Sequence, residues 1–289
     1  MQIPTKKLKN GFEIPVFGLG TWQMGGRETR DPQNNDKGDV EAIQKAVSMG
    51  ITHIDTAESY AEGYTETLIG QALQNYDRSR LFIVSKIHKD NLGYDGVLRS
   101  CENSLKRLQM THIDLYLIHQ PNDSIPITET LRAMDRLVQE GLTKYIGVSN
   151  FRTERLIDAQ KRTQNKLVVN QVYYNLVMRE PEHEGLLEYC QNNDVLLEAY
   201  RPLEKGVLLA ETAPGIHELA IKYGKTPSQI AINWLVSQNN VITISKSSSI
   251  RHLEENLGAI GWQMDNDDIE MLRNSFPNQQ LKSETLYLR

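Results

Sequence analysis

The stretch that decides the fold is IDLYLIHQPNDSIPITETLRAMDRLVQEGLTKYIGVS, residues 113–149. It opens with an apolar run at Ile113–Ile118 and closes with a second run at Lys144–Ser149. Between them, Ile127–Glu140 places apolar residues at helical spacing, and Gly141 is a typical helix stop. A buried strand, a helix and another buried strand are the repeating unit of a parallel α/β fold.

The same unit recurs along the chain. The predicted strands are Phe17–Leu19, Thr52–Thr56, Leu81–Ser85, Ile113–Ile118, Lys144–Ser149, Val168–Val172, Val195–Ala199 and Val241–Ile244. The predicted helices are Asp39–Met49, Tyr64–Tyr76, Leu92–Leu108, Ile127–Glu140, Thr153–Gln164, Glu182–Asn193, the stretch 216–238 and Ile250–Ala259. Eight strands, each followed by a helix, predict a closed (β/α)8 TIM barrel of the α/β class.

Turn and cap residues support this division. Asn10-Gly11, inside Lys6–Pro15, is a strong hairpin signal, and we expect an N-terminal β-hairpin that closes the bottom of the barrel. Thr226-Pro227-Ser228 is a helix start, so the seventh helical stretch divides in two. No linker divides the sequence, and the C-terminal tail after Phe276 is short. We therefore expect a single domain over residues 1–289.

The composition is that of an ordinary globular protein. Hydrophobic residues make up 39% and charged residues 24% of the 289 residues, and the net charge is −5. These values exclude a disordered or collagenous chain, and the acidic balance does not favour binding to nucleic acid. Cys101 and Cys190 form no disulfide framework, and the sequence shows neither a signal-peptide core nor a membrane-spanning run. We therefore expect a cytoplasmic protein with no membrane partner.

Polar side chains stand where the predicted strands end. In a TIM barrel the active site forms at the carboxyl ends of the strands and in the loops after them. Asp55 ends the second strand, Lys86 the third and His119 the fourth, with Tyr60 in the loop after the second. The other polar residues on this rim are Ser149, Asn150, Gln171, Tyr200 and Lys246. The sequence therefore predicts a polar site at one end of the barrel.

Four of these residues suit proton transfer to a carbonyl oxygen. The Tyr60 phenol is a poor acid, and we expect the Lys86 ammonium, held by Asp55, to lower its pKa. The His119 imidazole can hydrogen-bond a substrate oxygen while negative charge develops on it. The seven histidines show no metal-binding spacing and no cysteine partner, so we expect no metal. A proton donor without a metal indicates carbonyl chemistry.

Seven motifs carry a family resemblance over almost the full length of the chain. They are GLGTW at 18–22, DTAESY at 55–60, SK at 85–86, DLYLIH at 114–119, GVSNF at 147–151, NQV at 170–172 and LEEN at 253–256. With these motifs the chain resembles the aldo-keto reductases. The resemblance implies a catalytic tetrad of Asp55, Tyr60, Lys86 and His119, with Tyr60 as the proton donor. It also implies an NADPH-dependent oxidoreductase that reduces aldehydes or ketones to alcohols by hydride transfer from nicotinamide.

The resemblance further implies where the cofactor and the substrate bind. The implied cofactor-binding residues are Gly20, Thr21, Ser149, Asn150, Gln171, Tyr200, Leu203, Gly206, Lys246, Ser247, Glu255 and Asn256. Among them, Gln171 matches a residue that holds the nicotinamide carboxamide, and Tyr200 matches the aromatic residue that stacks on the ring. Lys246 and Ser247 match the pair at the 2′-phosphate, a charge-assisted contact that favours NADPH over NADH. The implied substrate-pocket residues are Trp22 and Gln120.

Three positions depart from the family's pattern. Gln120 stands where many relatives carry Trp, which makes that wall of the pocket more polar. His252 aligns with a frequent Arg near the 2′-phosphate, with Arg251 one residue early, so the use of NADH beside NADPH stays open. Arg201 replaces a small residue and is a candidate contact for a phosphate or an acidic substrate. The identity of the carbonyl substrate lies in loop shapes that the sequence does not fix.

Two other functions are compatible with the sequence. Lys86 at a strand end could form a Schiff base, as in barrel aldolases, although Asp55 would keep it charged. Some proteins that resemble this chain act as cofactor-sensing subunits of larger complexes. For the reductase, the resemblance favours a monomer with a small-molecule carbonyl substrate and no nucleic-acid partner.

Overall fold

Eight parallel strands close into a barrel in the computed structural model, which describes residues 2–209, 215–276, 279–284 and 286–289. The strands in chain order are the hairpin pair β1 (Thr5–Lys7) and β2 (Glu13–Pro15), then β3 (Phe17–Gly20), β4 (His53–Asp55), β5 (Phe82–Ile87), β6 (Ile113–Ile118), β7 (Thr143–Ser149), β8 (Leu167–Tyr173), β9 (Leu196–Tyr200) and β10 (Val241–Lys246). From β3 to β10 each strand pairs with the next, and β10 pairs with β3. The predicted (β/α)8 barrel is confirmed.

The barrel strands are buried on both faces. All six residues of β6 and all seven residues of β8 are buried. Helices cover the outside of the ring and side chains fill its inside, so the strands are continuous apolar runs instead of alternating ones. A polar side chain in such a strand, such as His53 or Glu198, needs a partner because its burial without one costs free energy.

The helices pack one apolar face on the barrel. They are α1 (Asp36–Ser48), α2 (Tyr64–Leu73), α3 (Tyr94–Leu108), α4 (Ile127–Gln139), α5 (Thr153–Lys161), α6 (Glu180–His183), α7 (Leu186–Asn192), α8 (Ile216–Tyr223), α9 (Pro227–Val236), α10 (Ile250–Leu257) and α11 (Asn266–Ser275). In α4, for example, Leu131, Met134 and Leu137 are buried at helical spacing. Burial of such stripes on the sheet holds the helices in place.

Two helical regions differ from the prediction. The helix predicted over Glu182–Asn193 is two helices, α6 and α7, because Gly185 between them has a left-handed φ of 67° that interrupts the helix. Helix α11 was not predicted, since its sequence is rich in Asp and Asn and its apolar stripe is thin. The predicted division of the stretch 216–238 is confirmed, with the Thr226 side chain capping α9.

The predicted hairpin closes the end of the barrel where the strands begin. Phe12, between β1 and β2, packs edge-on against Phe82 of β5 and Tyr145 of β7, at ring-centroid distances of 5.9 and 4.8 Å. The Lys6 ammonium donates hydrogen bonds to the carbonyls of Val236, Gln238 and Val241. The opposite end of the barrel, where the strands finish, is therefore the open one.

The C-terminal tail returns to this open end. The amide of Arg289 donates to the carbonyl of Asn150 at 3.0 Å, and the amide of Arg152 donates to the carbonyl of Arg289 at 2.9 Å. Residues 277, 278 and 285 of the tail lie outside the described part of the chain. Across the described residues, no helix combines the length and the apolar character that crossing a membrane requires.

Candidate active site

The ends of neighbouring strands bring the four predicted catalytic residues together. The Lys86 ammonium donates to Asp55 Oδ1 at 2.6 Å and to the Thr56 carbonyl at 2.8 Å. It lies 3.3 Å from the hydroxyl oxygen of Tyr60. The Tyr60 and His119 rings meet edge-on with centroids 5.7 Å apart. The tetrad that the sequence predicted is thus one contiguous cluster at the open end of the barrel.

An unusual backbone segment places Tyr60. The next two residues, Ala61 and Glu62, both have positive φ, 49° and 56°. Left-handed conformations in non-glycine residues cost free energy and persist where neighbouring structure enforces them. Here the amides of Ala61 and Glu62 donate to the carbonyls of Arg27 and Glu28, at 2.7 and 3.0 Å. The loop after β3 therefore fixes the segment that carries Tyr60.

Burial and charge oppose each other at Tyr60. Burial raises the pKa of its hydroxyl, the Lys86 ammonium lowers it, and the net direction is upward. The Lys86 ammonium lowers the Tyr60 pKa as expected, but the expected net lowering is wrong, because desolvation outweighs the ammonium. Burial alone would lower the pKa of Lys86, but Asp55 and Tyr60 raise it above its ordinary value. A permanently charged Lys86 argues against the Schiff-base alternative, which needs a neutral amine.

His119 is neutral in this site. Burial first, and then the Lys86 ammonium, hold the pKa of its imidazole well below the ordinary value. Its Nδ1 atom lies 3.3 Å from Ser59 Oγ. When Ser59 donates to Nδ1, the ring hydrogen sits on Nε2 and is free to donate to a substrate oxygen.

The residues expected at the nicotinamide lie beside the tetrad. Asn150 has a positive φ of 62°, and its side-chain amide donates to the carbonyl of His119 at 3.2 Å. The Tyr200 hydroxyl donates to Asn150 Oδ1 at 2.8 Å, and the Tyr200 ring stacks on Tyr173 at 5.6 Å. The Ser149 hydroxyl donates to the carbonyl of Gln171 at 2.8 Å. These residues form one hydrogen-bonded wall of the barrel mouth.

The loop after β9 contains the next two expected cofactor contacts, Leu203 and Gly206. Glu204 anchors this loop: it accepts from the Tyr173 hydroxyl and from the Asn175 amide. Gly206 has a φ of 95° and has open space where a side chain would stand. Arg201 lies over the Tyr173 ring at 5.1 Å, so its guanidinium stays near the mouth of the barrel.

The residues expected at the adenosine end lie at the ends of β10 and α10. The exposed Lys246 donates to Ser248 Oγ at 2.8 Å, and the Ser247 hydroxyl donates to the Ser249 carbonyl at 2.9 Å. Asn256 donates to Ser245 Oγ at 3.2 Å, and Glu255 accepts from the Ser228 hydroxyl at 2.7 Å. Asp39, which sequence reasoning missed, accepts from Ser248 at 3.3 Å.

The remaining predicted site residues also lie at the mouth of the barrel. Gly20 pairs with Asp55 and Lys246 in the barrel register, and the Thr21 hydroxyl donates to the Asp55 carbonyl at 2.8 Å. The Trp22 ring meets the Tyr60 ring edge-on at 4.9 Å. Gln120, which directly follows His119, is half-buried. Trp22 therefore contacts the tetrad directly.

Sequence reasoning missed one buried acid inside the barrel. Glu198, two residues before Tyr200 in β9, is fully buried, and its Oε2 accepts from the Gln171 side chain at 2.7 Å. The signal was present, because a glutamate interrupts the apolar run Val195–Ala199. His53 lies beside it, with Nε2 3.2 Å from Glu198 Oε1.

Comparisons with known proteins show what this chain is similar to. The Aldo/keto reductase family profile matches residues 16–275. The methylglyoxal reductase YeaE of Escherichia coli strain K12 is 31% identical over 284 residues, 96% of this chain and 96% of that protein. A thermostable aldo-keto reductase, solved with the inhibitor epalrestat, is 46% identical with a TM-score of 0.90, covering 94% of this chain and 99% of that one. A Klebsiella pneumoniae aldo/keto reductase, solved with NADP and acetate, is 33% identical with a TM-score of 0.86, covering 99% and 100%.

Fold and site together define a TIM-barrel oxidoreductase whose polar cluster lies at the carboxyl ends of the strands. The chain belongs to the aldo/keto reductase family, as the match over residues 16–275 shows. Membership in this family assigns it carbonyl reduction as its class of reaction.

Proposed function

We propose that this protein reduces small aldehydes and dicarbonyl compounds to alcohols with NADPH, and that Tyr60 donates the proton. The observation that carries the proposal is the position of the Tyr60 hydroxyl, 3.3 Å from a Lys86 ammonium that Asp55 holds at 2.6 Å. A phenol beside a fixed ammonium can release its proton to a substrate oxygen because the ammonium stabilises the resulting phenolate.

The residues of the barrel mouth fit an extended dinucleotide. One end presents the amide side chains of Asn150 and Gln171 and the flat ring of Tyr200, which suit a carboxamide-bearing aromatic ring. The other end presents the exposed ammonium of Lys246, which suits a phosphate. When bound there, the reduced nicotinamide supplies the hydride for the carbonyl carbon.

The protein's own groups act on the carbonyl oxygen. Tyr60 gives its hydroxyl proton to that oxygen as negative charge develops, and Lys86 stays charged throughout because Asp55 raises its pKa. Neutral His119 donates from Nε2 to the same oxygen and orients the carbonyl. Trp22, in edge contact with Tyr60, covers this position and limits the room for a bulky substituent.

Small and polar carbonyl compounds suit the pocket. The similar protein YeaE is named a methylglyoxal reductase. Gln120 gives this chain a hydrogen-bonding side chain directly after His119, and a dicarbonyl offers a second oxygen for it. We therefore place methylglyoxal and related short dicarbonyl compounds first among the substrates.

The test follows NADPH oxidation by absorbance with a panel of aldehydes, dicarbonyls and ketones. Wild type should turn over, and Tyr60→Phe should lower kcat by about 10²- to 10⁴-fold, the usual contribution of a general acid. The matched control is Tyr76→Phe, which removes a hydroxyl that donates to the Gln44 carbonyl on the outer layer of helices. It should keep wild-type turnover.

Turnover that survives the loss of the Tyr60 hydroxyl would contradict the proposed proton donor. Tight NADPH binding without turnover of any carbonyl compound would contradict the reductase and favour a cofactor-sensing role.

A further inference from the structure

A chain of buried polar groups leads from the tetrad into the barrel core. The Gln171 side-chain nitrogen donates to Asp55 Oδ2 at 2.8 Å and to Glu198 Oε2 at 2.7 Å. The other oxygen of Glu198 lies 3.2 Å from His53 Nε2. His53 and Glu198 are both fully buried, and Gln171 is 3% exposed. The proposed mechanism leaves Glu198 and His53 without a role.

Burial and the nearby Asp55 carboxylate favour the neutral form of Glu198. Burial, and then the Asp55 carboxylate, raise the pKa of Glu198 to about 8, while Gln171 and Lys86 oppose this rise. Burial lowers the pKa of His53 to about 3. The 3.2 Å contact between the two residues is therefore one of neutral groups, and a protonated Glu198 can turn its proton toward the ring nitrogen. Within the described residues, neither Glu198 Oε1 nor His53 Nε2 has a hydrogen-bond partner, and the two atoms face each other at 3.2 Å.

The neighbouring backbone keeps the His53 ring in place. An added Cβ on Gly18 would stand 2.5 Å from His53 Nδ1, so the ring fills the space that glycine leaves open in β3. On the other side of Glu198, β10 contributes Thr243, whose hydroxyl donates to the Ala199 carbonyl at 2.7 Å. The ionisable groups around Glu198 are His53 and Asp55 from β4 and Lys86 from β5. Tyr60 is coupled to this set, because charge on Glu198 raises the Tyr60 pKa.

We propose that Glu198 is a positioning residue of the reaction: as a neutral acid anchored on His53, it holds the Gln171 amide and leaves Asp55 as the anion that pairs with Lys86. The inference rests on the proposed reductase function. Because both hydrogens of the Gln171 amide point to carboxyl groups, its carbonyl oxygen is the end left for the cofactor. Glu198 acts on the cofactor and on Tyr60 through these neighbours.

Loss of the Glu198 proton adds a second negative charge to the same cluster. Charge on Glu198 raises the pKa of Tyr60, which makes the phenol a poorer proton donor. It also competes with Asp55 for the one ammonium of Lys86. We therefore expect kcat/KM for carbonyl reduction to fall as Glu198 ionises in the alkaline range.

The test is the pH profile of kcat/KM in wild type and in Glu198→Gln, which has nearly the same shape and cannot ionise. Wild type should lose about tenfold between pH 7 and pH 9, as one ionisation near pH 8 predicts. Glu198→Gln should lose less than about twofold of its own kcat/KM between pH 7 and pH 9. A Glu198→Gln variant with the wild-type alkaline decline overturns the proposal.

A matched control separates this effect from general damage to the core. Glu66 is another buried acid, and it accepts from Ser85 at 2.5 Å and from Arg107 at 2.7 Å, outside the Gln171 chain. Glu66→Gln should lower stability and leave the alkaline decline where wild type has it. Loss of the decline in both variants would overturn the proposal, since the effect would then not depend on Glu198.

A second measurement needs neither a folded variant nor turnover. Infrared difference spectra of wild type across pH 6 to 10 should show a protonated carboxyl group that disappears with a midpoint near pH 8. The absence of that band overturns the proposal. If wild type reduces no carbonyl compound with either nicotinamide cofactor, the proposed function fails, and the infrared titration still decides the protonation of Glu198.

Discussion

The acidity of the Tyr60 hydroxyl depends on the balance between desolvation, which raises its pKa, and the Lys86 ammonium, which lowers it. The charged neighbours of Tyr60 can be predicted from the sequence, because Asp55 and Lys86 end adjacent strands. The extent of desolvation cannot be predicted from the sequence, since it depends on how the rings of Trp22 and His119 pack against the phenol. This is why the direction of the Tyr60 pKa was predicted wrongly while the composition of the tetrad was predicted correctly.

Residue Lys246 offers a direct prediction about cofactor preference. Its exposed ammonium, fixed by Ser248 at 2.8 Å, is available to a 2′-phosphate, which NADH lacks. Lys246→Ala should raise KM for NADPH by about 10- to 100-fold, as the loss of a charge-assisted hydrogen bond predicts, and leave KM for NADH nearly unchanged. Initial-rate kinetics with both cofactors measure this, with Lys161→Ala on α5 as the control. An equal rise for both cofactors would place Lys246 elsewhere than at the 2′-phosphate.

The N-terminal hairpin is joined to the barrel by the half-buried side chain of Lys6. Lys6 donates to three backbone carbonyls, two of them at the C-terminal end of α9, and burial lowers its pKa to about 7. Lys6→Met keeps the apolar stem and leaves these carbonyls without their donor. We expect it to lower the free energy of unfolding by about 1–3 kcal/mol.

Urea unfolding checks the Lys6→Met prediction against a neighbouring variant. Lys7 stands on the same strand and is exposed, so Lys7→Met should change the stability little. Equal stability of the two variants would mean that the bonds of Lys6 add nothing to the attachment of the hairpin.

Strongly periodic elements were predictable and weakly periodic ones were not. The apolar runs Ile113–Ile118 and Lys144–Ser149 have length and apolar character that few other elements match, and both are strands in the structure. Helix α11 has few buried residues, and the break at Gly185 depends on a local backbone angle. The positive φ values at Ala61 and Glu62 have no sequence signal, because neither residue favours that conformation.

At the scale of the whole molecule, the site is where distant parts of the chain meet. Asp55 and Gln171 are 116 residues apart and hydrogen-bonded, which strand order in a closed barrel brings about. Strand ends alone predicted which side chains share the rim. The contact between Glu198 and His53 was not predictable, because the register and tilt of the strands decide which interior side chains meet in one layer.

The buried side chains of Glu198 and His53 make the free energy of unfolding depend on pH, in opposite directions. The folded-state pKa of Glu198 is raised to about 8, so its contribution is fully present at acid pH and is lost as pH rises toward 8. The pKa of His53 is depressed to about 3, so its contribution is lost as pH falls below its ordinary range. Glu198→Gln removes the pH dependence that comes from Glu198 and keeps the one that comes from His53.

The stability of Glu198→Gln relative to wild type should therefore rise between pH 5 and pH 8, by about 1.4 kcal/mol per pH unit at most. Urea unfolding of both proteins at each pH gives the difference, and titrating groups common to both proteins cancel in it. A constant difference between Glu198→Gln and wild type across this range would mean that Glu198 is already ionised at pH 5, and the neutral contact with His53 would then be wrong.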